Sequence, residues 1–270
     1  YNHHTWEFSA EFASGTQTAA SWWAELKWTK DWQAISRANS LIRSMALATG
    51  IGPADSRKIL AEARFLRAWF YFDLVRFYGR VPLVDENSPQ ENAPREELTK
   101  VMTFIKGDVE YAVGNLDNIP GGEVASLGSA LMLRLQIAQY EYDNAEVIAC
   151  AKAALENDIP VVLGNDVGCP WITQYDFWRE LCYFRKYVGV SNAFALHTAT
   201  GRAAEVMGLG SVTGTVEVGK SADLIVTRGN PLADLRALRS VDMVVARGRR
   251  YDAPRVKYNA RVMAELYKFL

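Results

Sequence analysis

The first 156 residues repeat apolar positions with the spacing of α-helices. Apolar side chains recur every three or four residues over residues 28–48, 56–78, 97–116, 126–140 and 144–156. Glycine and proline residues between these segments predict that each helix ends there. Helices of this length joined by short loops predict paired antiparallel helices, as in helical repeat proteins.

The longest of these segments predicts a helix that begins at Asp55 or Ser56 and ends at Tyr78, before Gly79. Such a helix has two apolar faces, and we expect neighbours to bury both of them. One face comprises Ile59, Ala63, Leu66, Phe70, Leu74 and Phe77, and the other comprises Phe65, Trp69 and Phe72. The many tryptophans of this half, Trp28 and Trp32 among them, are interpreted as core packing in preference to a ligand platform.

The pattern changes after residue 158. Residues 159–166 read IPVVLGND, which predicts a buried parallel strand that ends in a loop at Asp166. In an α/β barrel the catalytic residues lie at the C-terminal ends of strands, so Asp166 is a candidate catalytic residue. Beyond it the pattern predicts helices over residues 174–187, 191–199 and 202–207, strands over 214–218, 222–227 and 241–247, and a last helix over 255–269.

Composition narrows the possible partners and environments. The net charge of −1 gives no indication of a nucleic-acid partner. The three cysteines, Cys150, Cys169 and Cys182, have no metal-binding spacing and predict no disulfide framework. No stretch approaches the roughly 18 apolar residues of a membrane helix. Because the chain begins at Tyr1 without a methionine or a signal-like segment, we expect a processed chain or a fragment.

The first half resembles the SusD/RagB-type glycan-binding lipoproteins. Residues 61–84, which read AEARFLRAWFYFDLVRFYGRVPLV, are similar to the signature helix of that family. Trp32, Ile35, Asn39 and residues 95–112 also match its pattern. The resemblance implies a TPR-like helical scaffold on the bacterial outer membrane that binds oligosaccharide and works with an outer-membrane transporter. It assigns no glycan-contacting residue in this sequence.

The second half resembles the C-terminal part of metal-dependent amidohydrolases, with the imidazolonepropionase-like branch as the most similar one. The resemblance rests on residues 164–166, 178–181, 195–200, 214–226 and 230–231, which follow one another in the order of that family. It implies the last strand of a (β/α)8 barrel, its closing helices and part of a small β-sandwich. It also implies a cytoplasmic enzyme that acts on a small amide or cyclic-amide substrate.

The amidohydrolase resemblance implies a divalent metal, with zinc as the first expectation, and it makes Asp166 both a metal ligand and the general base. The family's histidine ligands have few counterparts here. His3 and His4 are adjacent and cannot share one face of a strand, and His197 falls on a predicted helix. Cys169 alone is a weak candidate ligand. A complete barrel takes about 250 residues, more than this half supplies, so we expect no metal and no hydrolysis from this chain alone.

These observations predict a mixed fold. Residues 1–147 are expected to form a SusD-like all-α region, and residues 148–270 an α/β fragment of a barrel end with a small β-sandwich portion. Three interpretations of function stay open at this point: a partial amidohydrolase acting on carbon–nitrogen bonds, a SusD-like oligosaccharide-binding protein, and an artificial chimera joined near residues 143–152. Whether the chain is an enzyme is therefore uncertain. The implied location is cytoplasmic for the second half and the outer membrane for the first.

Overall fold

The structure is a computed structural model that describes residues 16, 18, 21–88, 93–119, 124–164, 175–255 and 259–269 of the chain. The chain divides into two compact units, residues 1–143 and residues 144–270. The described part of the first unit is helical, and the second combines short helices with a small sheet. Each unit has its own cluster of buried apolar side chains.

The helices of the first unit are α1 (Trp22–Met45), α2 (Pro53–Tyr78), α3 (Leu98–Asn115) and α4 (Leu127–Tyr140). Gly79 ends α2 with a φ of 69°, a conformation that costs glycine little because it has no Cβ. At the start of α4, Ser126 and Ser129 form a reciprocal capping box. The predicted helical character of the N-terminal half is therefore confirmed.

Helix α2 lies at the centre of the first unit, because it packs against both α1 and α3. Full burial of a large apolar side chain contributes roughly 1.5–3 kcal/mol relative to leaving it exposed, so this helix carries much of the core. Its buried apolar residues are Ala61, Ala63, Phe65, Ala68, Tyr71, Phe72, Leu74 and Val75.

The expectation that both apolar faces of α2 are buried is wrong for three large side chains. Leu66, Trp69 and Phe77 remain 46%, 40% and 46% exposed. The physical reason is that α2 packs mainly against two neighbours, α1 and α3, and only lightly against α4. Two helices cannot cover the whole circumference of a third, so part of the predicted apolar surface faces solvent.

The second unit begins with α5 (Asn144–Glu156), which has the predicted bounds. The next described helix is α6 (Trp178–Tyr183). A π-helical turn (Phe184–Val188) follows and ends at Gly189, whose φ is 89°. The next helices are α7 (Asn192–Ala199), which Ser191 caps as predicted, and α8 (Gly201–Val206). The last is α9 (Ala260–Leu266), continued by a 3-10 turn over Tyr267–Phe269, and it begins later than predicted.

A three-stranded antiparallel sheet completes the second unit. Its strands are β1 (Leu224–Thr227), β2 (Val241–Ala246) and β3 (Arg249–Asp252), in the order β1-β2-β3. A 3-10 turn (Leu235–Arg239) connects β1 to β2 and places Leu235 in the buried cluster with Leu181, Phe184 and Ala195.

Two predicted strands are wrong. Residues 159–164 have irregular backbone, and residues 214–218 form turns and bends. A parallel strand needs neighbouring strands to pair its N–H and C=O groups, and no strand among the described residues lies beside residues 159–164. The described strands form one small antiparallel sheet, as expected for this part of the chain. The assignment of this sheet to a β-sandwich stays a prediction.

Candidate functional site

A cavity of about 480 Å³ lies along α1 in the first unit. One wall is formed by α1 and the opposite wall by the segment that follows α2. Trp28, Trp32, Ile35, Ser36 and Asn39 line it from α1, and Pro82, Val84 and Ala93 line it from the other side. A shallower hollow shares Trp28, Trp32 and Ser36 with this cavity and adds Thr29, Gln33 and Arg37, so an aromatic surface continues along the helix.

The two tryptophans are held by edge-to-face ring contacts. Trp28 and Trp32 are one helical turn apart, and their ring centroids are 5.7 Å from each other. Trp32 also meets Tyr71 at 5.6 Å, and Trp28 meets Tyr78 at 5.1 Å, with interplanar angles of 82° and 87°. Contacts of this geometry contribute about 0.5–1.5 kcal/mol each beyond the area they bury. The rings therefore have fixed orientations at the cavity wall.

Hydrogen bonds fix the opposite wall at Val84. The Tyr71 hydroxyl donates to the Val84 carbonyl and accepts from the Val84 N–H, both at 2.8 Å. Asn39 donates from Nδ2 to the same carbonyl at 3.0 Å. Burial raises the pKa of Tyr71, so its hydroxyl keeps the proton that it donates. The cavity is thus bounded by backbone that α1 and α2 both hold in place.

A buried ion pair supports Asn39 from behind. Arg67 donates from Nη1 to Asn39 Oδ1 at 2.8 Å and to Glu86 Oε2 at 2.6 Å. The same guanidinium forms a two-pronged contact with Asp108 on α3. Because arginine presents several donors in a rigid plane, this one side chain sets the positions of α1, α3 and the segment after α2.

A second ion pair joins α1 to α2 beside Trp28. Lys27 contacts Asp31 at 3.1 Å and also contacts Asp73. Burial raises the pKa of Asp31, while the hydrogen bond from Lys27 acts in the opposite direction. This contact holds the two helices together along the face that carries both tryptophans.

One polar group of a residue that lines the cavity has no hydrogen-bond partner among the described residues. It is the indole Nε1 of Trp32, which is buried. A buried donor without a partner costs roughly 1–3 kcal/mol. The cavity itself combines two aromatic rings with a few polar side chains, which is the usual composition of a small-molecule site.

The residues proposed for amidohydrolase chemistry are not brought together among the described residues. Asp166 and Cys169 lie outside the described residues, as do His3 and His4. His197 is on α7 and is exposed, with its imidazole beside Gly201. The catalytic and metal-binding roles of Asp166 therefore stay predictions.

The described residues do not fit the divalent metal that the amidohydrolase resemblance implies. Within residues 21–88, 93–119, 124–164, 175–255 and 259–269, no three His, Cys, Asp or Glu side chains approach one another closely enough to hold a metal ion. A hydrolytic metal centre needs about three protein ligands and an open position for water.

The sequence interpretation missed the cavity because it treated the tryptophans as core. The available signal was the four-residue spacing of Trp28 and Trp32, which places both rings on one face of α1. That spacing is equally compatible with a core stripe. The cavity exists only because the segment around Val84 lies opposite these rings, and the helix pattern does not predict its position.

Comparison with known proteins also divides the chain into two halves, but the families change earlier than the helical pattern, which continues to residue 156. A model of the family described as "Starch-binding associating with outer membrane", which is SusD-like, matches residues 2–124. The model of the amidohydrolase family matches residues 122–251. The chain resembles two families, one in each half. Its appearance is therefore chimeric, with the change of family at residues 122–124.

Individual proteins are similar to parts of this chain. A SusD-like protein of Bacteroides ovatus is 28% identical over 124 residues, which are 43% of this chain and 23% of that protein. A crystal structure described as solved with xylogluco-oligosaccharide has a TM-score of 0.50 at 22% identity, covering 57% of this chain and 34% of the other. The crystal structure of a candidate prolidase from Bifidobacterium longum has a TM-score of 0.49 at 34% identity, and the match covers 59% of this chain and 43% of the other. The chain spans less than half of each.

Helix α4 lies past the change of family and still belongs to the first unit. It falls within the amidohydrolase match, yet Ala130, Leu133 and Ile137 are buried in the core that α2 and α3 form. The SusD-like match is associated by its description with the outer membrane, and no helix among the described residues is long and apolar enough to cross a membrane.

Proposed function

We propose that this chain is a SusD-like oligosaccharide-binding protein and that its first unit binds a sugar segment in the cavity beside Trp28 and Trp32. The observation that carries the proposal is the aromatic wall of the cavity, where Trp28 and Trp32 are held by edge-to-face contacts with Tyr78 and Tyr71. The SusD-like family match over residues 2–124 supports the same class of ligand.

The chemistry of the cavity suits a neutral sugar. Sugar rings present apolar C–H faces and polar edges, so they match a site that offers aromatic surface together with a few hydrogen-bonding groups. Trp28 and Trp32 supply the aromatic surface. Ser36, together with Thr29 and Gln33 in the adjoining hollow, supplies polar groups. Since Arg67 and Tyr71 fix the surrounding backbone, the site pays little ordering entropy on binding.

A titration with defined oligosaccharides tests this proposal. Calorimetry of the full chain with a malto-oligosaccharide and a xylogluco-oligosaccharide should detect binding of at least one of them. Trp32→Ala removes one of the two aromatic rings of the wall, so it should weaken binding about tenfold or more. Trp69→Ala, at an exposed position of α2 that does not line the cavity, should leave binding unchanged. Equal affinities for wild type and Trp32→Ala would contradict the proposal.

For the family-level partners, we propose that the first unit associates with an outer-membrane transporter and that its helices have the TPR-like arrangement of SusD-like proteins. The domain boundary is proposed at residues 147 and 148. Co-purification of the chain with an outer-membrane transporter in detergent would test the association, and a chain that elutes separately at high protein concentration would argue against it.

The second unit supports a second candidate function, because the amidohydrolase match covers residues 122–251. We propose that it is part of a hydrolase of carbon–nitrogen bonds, of the imidazolonepropionase-like branch, with Asp166 as metal ligand and general base in the complete enzyme. The present chain is expected to be inactive alone. Zinc analysis after dialysis and an amidase assay test this, and zinc-dependent hydrolysis by the purified chain would overturn it.

A third proposal concerns origin: the two halves were joined artificially. Long-read sequencing of the source DNA across codons 120–165 distinguishes this from a natural fusion. One uninterrupted reading frame would contradict an artificial join, and two separate genes would support it.

A further inference from the structure

The second unit contains a cavity of about 630 Å³ that is separate from the aromatic cavity of the first unit. Its walls come from the end of α6 and the π-helical turn that follows it, from the start of α7, and from the segment between β1 and β2. Small-molecule sites usually have volumes of about 300–1,000 Å³. The cavity is therefore large enough for a small organic ligand.

Buried side chains and hydrogen bonds hold these walls together. Phe184 begins the π-helical turn and Leu235 begins the 3-10 turn, and both belong to the buried cluster of the second unit. Asn192, the first residue of α7, donates from Nδ2 to the carbonyls of Leu232 and Ala233 at 2.9 Å and 3.2 Å. The three parts of the wall are thus fixed by contacts that a ligand does not need to supply.

The lining of this cavity is rich in positive charge. Arg185, Lys186 and Arg236 line it, and Asp234 is the one acidic residue among the described residues that do so. Asp234 accepts a hydrogen bond from the Arg236 N–H at 2.9 Å, and Lys186 lies over the Tyr187 ring. No described residue forms an ion pair with Arg185 or Arg236. Two guanidinium groups at the cavity therefore have no counter-ion in the described part of the chain.

The thiol of Cys182, which also lines the cavity, lies within reach of these charges. Burial raises the pKa of Cys182, while the positive charges of Arg236 and Arg185 act in the opposite direction. The carboxylate of Asp234 adds to the effect of burial. Both guanidinium groups are thus close enough to the cavity wall to act on an anion bound there.

The N-terminus of α7 adds to the positive potential. Ser191 caps this eight-residue helix by accepting a hydrogen bond from the Phe194 N–H, and Asn192 places the first turn of the helix at the cavity. The N-terminal end of a helix carries a partial positive charge that favours anions. This contribution has the same sign as that of the two arginines.

We propose that this cavity binds a small phosphomonoester, with its phosphate group at Arg185, Lys186 and Arg236 and its organic part against Tyr183 and Val190. A phosphate monoester carries a charge of about −1.5 to −2 at pH 7, which balances three cations and one carboxylate better than a single carboxylate would. Guanidinium groups also present paired N–H donors that match the oxygens of a phosphate. The inference is independent of the sugar-binding proposal, which concerns the first unit.

Alkylation of Cys182 measures the potential in the cavity. Iodoacetate is an anion and iodoacetamide is neutral, and both react with the thiolate, so the ratio of their rates does not depend on the pKa of the thiol. Positive charge should raise this ratio about threefold or more above that of free cysteine at the same ionic strength. Mass spectrometry of peptides from the full chain follows Cys182 separately from Cys150 and Cys169.

Protection of Cys182 by small anions tests the class of ligand. Phenyl phosphate joins a phosphate to an aromatic ring, and we expect a Kd on the order of 1 mM for a compound of this size. At about 10 mM and constant ionic strength, it should slow the reaction with iodoacetamide about tenfold. Benzoate has the same ring and a single negative charge, and it should slow the reaction by less than about twofold.

Two variants remove the proposed phosphate contacts. Arg185→Gln and Arg236→Gln should each raise the Kd for phenyl phosphate about tenfold, because a charge-assisted hydrogen bond is lost. Each should also lower the ratio of the iodoacetate rate to the iodoacetamide rate. Arg249→Gln removes the same charge from an exposed position on β3 that does not line the cavity, so this matched control should change neither quantity.

The proposal is overturned if phenyl phosphate at about 10 mM, roughly tenfold above the expected Kd, gives no protection. Equal protection by benzoate would contradict the assignment of a phosphate, and equal effects of Arg249→Gln and the two cavity variants would show that only net charge matters. Circular dichroism checks the folding of each variant. Because Arg185 and Arg236 lie on different turns, either variant that folds decides the outcome against Arg249→Gln.

Discussion

Arg67 on α2 and Asp108 on α3 form a two-pronged buried ion pair. Arg67 Nε donates to Asp108 Oδ2 at 2.6 Å and Nη2 donates to Oδ1 at 2.9 Å, while the two side chains are 2% and 3% exposed. Phe104 covers the guanidinium from one side, with its ring centroid 4.6 Å away. Arg67 also donates hydrogen bonds to Asn39 on α1 and to Glu86 in the segment after α2. This side chain therefore connects the central helix to both elements that form the walls of the cavity.

Removal of one member of this pair should destabilise the first unit severely. We expect Asp108→Leu to lower the free energy of unfolding by about 3–5 kcal/mol, because the buried Arg67 guanidinium loses its two-pronged contact and keeps only Glu86 as a counter-ion. The double variant Arg67→Met/Asp108→Leu should lose less than that, since no buried guanidinium remains and the carboxylate left unpaired, Glu86, is partly exposed to solvent. Urea unfolding followed by circular dichroism measures both.

The control for this prediction is the exposed ion pair between Lys58 and Asp117, with Nζ and Oδ2 2.8 Å apart. Lys58→Met should not change the unfolding midpoint measurably, since solvent screens that contact. A double variant less stable than Asp108→Leu would contradict the explanation based on an unpaired buried charge.

Gly214 should tolerate no side chain. Its φ is 93°, and an added Cβ would lie 2.4 Å from the Cβ of Ala204 and 3.1 Å from the Thr200 carbonyl oxygen. Gly214→Ala should cost about 3 kcal/mol or more in the second unit, combining the left-handed backbone with overpacking.

Gly219 separates these two contributions. Its φ is 92° and no atom lies within 4 Å of an added Cβ, so Gly219→Ala should cost only about 1–2 kcal/mol. Thermal unfolding of the two variants side by side measures the difference. Equal losses would show that the close approach to Ala204 contributes nothing.

Glu180 should make stability depend on pH. Burial raises the pKa of this carboxyl above its ordinary value of 4.5. In the unfolded chain Glu180 loses its proton at lower pH than in the folded one, so stability falls as pH rises from 4.5 through the folded pKa. Glu180→Gln should therefore be more stable than the wild type at pH 7, and the two should converge below pH 4.5.

Glu217 provides a control of opposite sign. A hydrogen bond from Thr215, and then the bond and charge of Lys220, lower the pKa of Glu217. Its contribution is present above the ordinary value of 4.5 and is lost as pH falls through the lower folded pKa. Glu217→Gln should thus lose stability at pH 7, the reverse of Glu180→Gln. Thermal melts from pH 3 to pH 8 measure both, and parallel curves for the two variants would contradict the assignment.

Local sequence signals predicted most helices of the chain. The three-and-four spacing placed α2 correctly up to Gly79, because a glycine in a left-handed conformation is a local stop signal. Ser191 was predicted as the cap of α7, and its hydroxyl accepts from the Phe194 N–H at 3.1 Å. Such features depend on residues within one or two turns, so the sequence contains the information needed to predict them.

Predictions that depended on distant partners failed. Residues 159–163 have the composition of a buried strand, but a strand exists only where a second strand supplies hydrogen bonds, and the described chain places none there. The exposure of Leu66 and Phe77 has the same kind of cause, since neighbouring helices decide which face of α2 is covered. Asp166 stays a prediction because it lies outside the described residues.

The sequence by itself determined that the chain combines a helical half resembling SusD-like proteins with a second half resembling amidohydrolases, because periodicity and motif order are properties of the chain alone. Tertiary structure decided what those halves offer to a ligand or partner. The cavity beside Trp32 exists because Arg67, Asn39 and Tyr71 hold Val84 opposite α1. The small sheet exists because β2 pairs with β1 on one side and with β3 on the other. Both features arise from contacts between residues far apart in sequence, which no local pattern specifies.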